Sequence, residues 1–234
     1  MAEMKTLSFS ILLVSAALFS ISCQRPAGDS TAAATAEKAA LFNGKDFTGW
    51  KHYLVDENVN MEDVWSVENG VIVCKGVPLG YLATEASYQD FTLTFDWRWA
   101  PGKEPGNSGV LLRIAGDPIG FMPKCVEAQL KHESAGDIWA FRGASIQGDT
   151  ERIVEIKDHE DLADFTGVKR AKAAEKPPGE WNRYEITLKG GDLTLSINGE
   201  TVNQASGLDV LSGPIGLQSE GAEIHFRDIA ITPL

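Results

Sequence analysis

At Glu127, Gln129 and Lys131 a carboxylate, an amide and an amine recur at every second position, with Val126, Ala128 and Leu130 between them. Side chains on a strand point alternately to its two faces, so this spacing gathers the polar groups on one face and the small apolar groups on the other. A carboxylate held mid-strand is positioned more rigidly than one on a loop, which suits a proton acceptor. The same row also reads as a solvated sheet surface on which Glu127 pairs with Lys131. His132 follows with an imidazole that titrates near neutrality, either a general acid or an exposed loop histidine. In Asn107-Ser108-Gly109-Val110-Leu111-Leu112-Arg113 an unbroken strand would put Asn107, Gly109, Leu111 and Arg113 on one face. Arg113 could then offer a cation to the site, or be a paired surface arginine, and Asn107 suits a turn as well as a ligand contact. Gln218 faces away from Leu217 and is expected on the same face as Glu127. Trp139 and Trp65 are stacking platforms or core filling.

The elements that must position these groups follow a period of two. Phe91, Leu93, Phe95, Trp97 and Trp99 alternate with Thr92, Thr94, Asp96 and Arg98. This predicts a strand with the tryptophans in the core and an Asp96–Arg98 pair on the outer face. Asn69-Gly70, Gly190-Gly191 and Asn198-Gly199 mark hairpin turns between apolar runs. Helical periodicity is almost absent, with one short candidate near Asp158 to Phe165. That candidate lies in a charged stretch, 149–179, that reads as a long surface excursion ending at Pro177-Pro178-Gly179. Many short alternating strands with glycine-rich turns predict an all-β sandwich of two packed antiparallel sheets. No fixed repeat favours a propeller.

Toward the N-terminus, Lys5 precedes an apolar run from Leu7 to Ile21, too short for an ordinary span and suited to a secretory signal peptide. Cys23, after Ser20-Ile21-Ser22, resembles the lipidated cysteine of a bacterial lipoprotein, although Ser20 stands where such sites usually carry Leu; a plain cleaved signal is the alternative. The expectation is an exported protein anchored to a membrane by lipid, in the periplasm or at the cell surface. Residues 24–40 hold no large apolar side chain and read as a flexible linker. Residues 41–234 form one domain, long enough to bury roughly 70% of its unfolded surface without staples. The formal net charge of −12 argues against nucleic acid as a partner. Cys74 and Cys125 could form a disulfide or remain buried thiols, and no cysteine–histidine spacing suggests structural zinc.

Ordered segments along the chain resemble the 3-keto-disaccharide hydrolase family: LFNGKDFTGWK (41–51), VWSVENGVI (64–72), ATEASYQDFTLTFDWRW (83–99), NSGVLLR (107–113), VEAQL (126–130), GEWNRYEI (179–186), SINGE (196–200), GPIGLQSEG (213–221) and IHFRDIAI (224–231). The resemblance implies a concanavalin A-like jelly roll whose concave face binds carbohydrate, with Glu127 and Gln129 in the family's Glu-x-Gln. Where many members continue to an aspartate this chain has His132, which puts any role of that aspartate, metal ligation included, in doubt. An enolate mechanism is compatible with a divalent metal, but no ligand set is evident and no cofactor is indicated. A ketone at C3 acidifies the C2 proton. A base can remove it, the C1 substituent can leave, and water can add back. The resemblance then implies Glu127 as base, Lys131 or Arg113 beside the enolate oxygen, and His132 as acid. Gln129, Asn107, Gln218, Trp139 and Trp65 would hold the sugar. A non-catalytic carbohydrate-binding module is the main alternative. An ordinary glucanase, which needs a second carboxylate close to Glu127 on the same strand, is disfavoured because Gln129 takes that place.

Overall fold

The computed structural model describes Met1 and residues 37–234; the signal peptide, Cys23 and most of the 24–40 linker lie outside them. The strands are β1 (Ala39–Ala40), β2 (Trp50–Leu54), β3 (Trp65–Glu68), β4 (Val71–Cys74), β5 (Gly80–Thr84), β6 (Phe91–Trp99), β7 (Gly109–Ile119) and β8 (Met122–Gln129). They continue with β9 (Ile138–Phe141), β10 (Ile153–His159), β11 (Ala163–Val168), β12 (Asn182–Lys189), β13 (Asp192–Ile197), β14 (Glu200–Ala205), β15 (Gly216–Ser219) and β16 (Ile224–Pro233). The one helix among the described residues, α1 (Met61–Val64), is a single turn.

Two eight-stranded antiparallel sheets pack face to face in a jelly-roll sandwich. The back sheet runs β14-β13-β12-β6-β16-β4-β3, with β1 added on β16. The front sheet runs β10-β11-β9-β8-β7-β15-β5-β2. Period-two patterning drives this arrangement. In β6, Phe91, Leu93, Phe95, Trp97 and Trp99 are buried and the residues between them half-buried. They meet Val110, Leu112, Val126, Ala128 and Leu130 of the front sheet in one inter-sheet core. The Asn69-Gly70 and Asn198-Gly199 turns have positive φ at both positions, 53° and 80°, then 53° and 84°, as a tight turn between twisted strands requires.

Three expectations are corrected. The segment expected as a short helix, 158–165, belongs instead to the β10–β11 hairpin at the edge of the front sheet. Its Phe165 packs on Phe141 and Trp139, with centroids 5.0 and 5.4 Å away, and these long-range contacts outweigh the local helical preference. The linker's last residues, Ala39 and Ala40, pair with Ile231 and Ala230 and so begin the back sheet. Asp96 pairs not with Arg98 but with Arg183 and Arg227, on neighbouring strands. Of the two states open to Cys74 and Cys125, the structure shows buried free thiols. Cys74 points into the inter-sheet core, whereas Cys125 sits in a second apolar cluster on the outer side of the front sheet.

Candidate functional site

The outer face of the front sheet is not a plain solvated surface. A cleft of about 330 Å³ opens over β7, β8, β9 and the β10–β11 hairpin. Its floor is the polar face of β8. Alternation sends Val126 and Ala128 to the core and turns Glu127 and Gln129 into the cleft. Glu127 lies between Leu111 of β7 and Trp139 of β9, its cross-strand partners. Room for its carboxyl comes from Gly109, since a Cβ there would collide with Glu127 Oε1.

Glu127 is only 2% exposed, and Oε1 has no hydrogen-bond partner among the described residues. A buried polar group without a partner is costly, and such exceptions gather at functional sites. Burial pushes the Glu127 carboxyl well above the usual carboxylate range, and the nearby carboxyls of Glu220 and Asp137 add to the rise. Glu220, at the end of β15 and bridged to Asn107, is raised to about 7 by burial, with Asn107 and Lys131 pulling it back. Two interacting carboxyls with raised pKa values share a proton to higher pH than ordinary carboxyls do.

Other groups in the cleft are oriented by this framework. Gln129 accepts the amide hydrogens of Leu130 and Lys131 on Oε1, which leaves its Nε2 as a donor toward the cleft. Asp137, buried beneath the site, accepts from Lys169 Nζ at 2.8 Å and from the Arg170 amide at 2.8 Å. The same Lys169 Nζ lies 4.4 Å from the Trp139 ring centroid. Trp139 is half-buried and leans over Gly167, where no side chain could fit.

The structure thus brings Glu127, Gln129, Lys131, Asn107 and Trp139 into one cleft. Gln218 is buried beside them. The Leu217–Val110 pair sets it alongside Gly109, and both its side-chain polar atoms lack partners among the described residues. Three candidates lie elsewhere. Arg113 adopts φ 52° where the β7–β8 register slips, which swings it off the cleft face. It is buried and donates to the carbonyls of Gln89, Gly190 and Asp209 and to Asp90 Oδ1. Trp65 is buried in the inter-sheet core. His132 sits in the turn after β8, outside the cleft lining, near Glu175, whose carboxyl pKa is raised by burial. Sequence reasoning missed Glu220, Asp137 and Lys169. Glu220 was within reach, because it follows Gln218 at the same period of two. Among the described residues no group of three or more His, Cys, Asp or Glu side chains has the geometry to hold a metal ion.

Comparison with known proteins agrees with the fold and names its class. Among solved structures, a provisionally named glycosyl hydrolase from Parabacteroides distasonis ATCC 8503 superposes with a TM-score of 0.60 at 24% identity, over 84% of this chain and 94% of its own. A carbohydrate-binding module from Bacillus subtilis gives 0.53 at 14% identity, over 79% and 95%. A Bacillus licheniformis β-glucanase gives 0.50 at 13%, over 86% and 99%. At these identities the likeness establishes the fold alone. No curated protein matches the chain. The family of 3-keto-alpha-glucoside-1,2-lyase-like domains matches residues 37–232, nearly all of the described sandwich, and supports a carbohydrate-related function. The ordered segments and the fold around Glu127 agree with that match, and the chain belongs to this family.

Proposed function

We propose that this chain cleaves 3-keto glycosides by elimination and rehydration, with Glu127 and Glu220 as its acid–base pair. The observation that carries this reading is a buried, unpartnered carboxyl in a cleft beside a second carboxyl raised to about 7. Glu127, the more deeply buried, keeps its proton near neutrality, and Glu220 is the member that ionises. Glu220 therefore takes the C2 proton, and Glu127, placed as the base by the sequence pattern, becomes the acid. It gives its proton to the leaving oxygen as the C1–O bond breaks. Lys131, close enough to lower Glu220, supplies positive charge for the enolate oxygen at C3. Water then adds its hydroxyl to C1, C2 recovers a proton from Glu220, and the remaining proton of the water restores Glu127. The net change is hydrolysis, and both carboxyls return to their starting state. Gln129 and Asn107 are placed to bond sugar hydroxyls, and Trp139 to stack on the ring. Export and a lipid at Cys23 belong to the same proposal and rest on the N-terminal sequence; the mass of the protein from a membrane fraction tests them.

The test of catalysis uses the plain and the 3-keto form of one chromogenic glucoside in deuterated water. Release from the keto form alone is expected, with deuterium at C2 beyond that of substrate incubated without protein. Glu127→Gln and Glu220→Gln should each lower kcat/KM by about 10²–10⁴-fold, the usual range for general acid–base groups. Release from neither substrate, with binding retained by both variants, would sink the catalytic reading and leave a non-catalytic carbohydrate-binding module.

A further inference from the structure

The cleft is polarised along β8. From Glu127 toward Lys131 it is lined by amides, carboxylates and lysines. From Glu127 toward Met122 it becomes apolar, with Phe121, Phe141, Ile156, Leu162 and Phe165 beside Met122. The apolar wall is a built feature. Its outer part is the β10–β11 hairpin, whose tip is held to the β7–β8 turn by Arg142, donating at 2.7 Å to both Ile119 O and Asp161 O. His159 is the polar side chain on this stretch of hairpin that reaches the cleft, and its Nδ1 already accepts the amides of Asp161 and Leu162.

Strand geometry gives each half a size. At about 3.3 Å per residue, Glu127 to Lys131 spans roughly 13 Å and Glu127 to Met122 roughly 16 Å. The cleft's total volume of about 330 Å³ limits each half to about one six-membered ring. A sugar buried against side chains without hydrogen-bonding groups would leave its hydroxyls unsatisfied, at a cost that favours other ligands there. The polar half suits the oxidised sugar, and the acid–base pair at the junction suits the bond being broken. From this we infer that the second half takes an apolar, preferably aromatic, aglycone, so that the preferred substrate is a 3-keto glycoside of a hydrophobic alcohol rather than a disaccharide. This inference rests on the proposed cleavage at Glu127 and adds the class of leaving group.

Benzyl and methyl 3-keto-glucosides of the same anomer test it, because the two leaving alcohols have similar acidity and differ in apolar surface. The full chain should show a kcat/KM for the benzyl compound about tenfold or more above that for the methyl compound, the scale set by added apolar contacts in a pocket. Phe165→Ser should bring the benzyl-to-methyl ratio of kcat/KM down toward one. Ile156→Ser, on the edge strand, serves should Phe165→Ser fail to fold. Equal rates on both substrates, or a preference untouched by the folded variant, would overturn the inference. If neither compound is cleaved, calorimetry with the plain benzyl and methyl glucosides decides. Tighter benzyl binding that is lost in Ile156→Ser keeps the apolar subsite and discards the cleavage chemistry; equal binding discards the subsite.

Discussion

Glu127 is held in a conformation that costs the fold and serves the cleft. Both Glu127 and Glu220 have folded-state pKa values above their unfolded ones, so the sign of the pH effect is set. Below about 4.5, the carboxyl's ordinary value, both states carry the protons and there is no penalty. As pH rises, the unfolded chain ionises first and stability falls; the Glu220 share of the fall ends when that group ionises in the folded state near 7, and the Glu127 share continues until Glu127 ionises. Glu220→Gln should therefore raise Tm at pH 8 and leave it unchanged at pH 4, a contrast that thermal melts at the two pH values would reveal. In the proposed reaction kcat/KM should climb through about pH 7 with Glu220 ionisation and fall again once Glu127 loses its proton. A profile flat from pH 5 to 9 would exclude the pair as the acid–base machinery. Gly109→Ala asks whether position matters apart from charge. The added methyl must displace Glu127 Oε1, and a displacement on the ångström scale is expected to lower activity about 10²-fold. Stability should fall by only about 1–3 kcal/mol from overpacking. Steady-state kinetics beside denaturant melts separate the two.

At the level of elements, the hairpin β10–β11 converts an open sheet face into a walled cleft. Arg142 joins the tips of two hairpins, so Arg142→Ala should loosen the wall without unfolding the sandwich. Faster amide exchange confined to 153–168 and the 119–122 turn is the expected sign, and exchange unchanged there would show that side-chain packing alone holds the wall. The strand identities of β3, β4, β6, β8 and β12–β14 were legible because their alternation and Asn-Gly or Gly-Gly turns are local signals. The hairpin was not. His159-Glu160-Asp161-Leu162-Ala163 is charged and locally compatible with a helix, whereas its strand character depends on Phe165 meeting Trp139 and Phe141 across the sheet. The same distinction divides the site. Glu127, Gln129 and Lys131 share one strand and could be read from spacing, but Asp137 and Lys169 reach the cleft only through pairing of β8, β9 and β11. Arg113 was misplaced because a break in register inside an apolar strand leaves no mark in its composition.

For the whole molecule, Arg113 is a tie between distant segments. It links the front sheet to the segment before β6, the β12–β13 turn and the loop around Asp209. Arg113→Ala removes the donor from three part-buried carbonyl contacts and empties a buried position, and is expected to cost about 3 kcal/mol. For a domain of this size that is a Tm loss of roughly 6–12 °C. Below the melting range the variant should retain most activity, because the side chain is outside the cleft; a large drop in kcat/KM at low temperature would contradict that placement. The hairpin has a further bearing at this scale. Because β10 ends the front sheet, its free backbone edge could template addition of a strand from another molecule. Exposed Glu155, Lys157 and Asp158 place charges of both signs along that edge, where a second copy would have to desolvate them. The strand that walls the cleft is thus also the charged edge of the sheet, and apolar substitutions at Glu155, Lys157 and Asp158 would draw the molecule toward sheet-edge dimers and fibres.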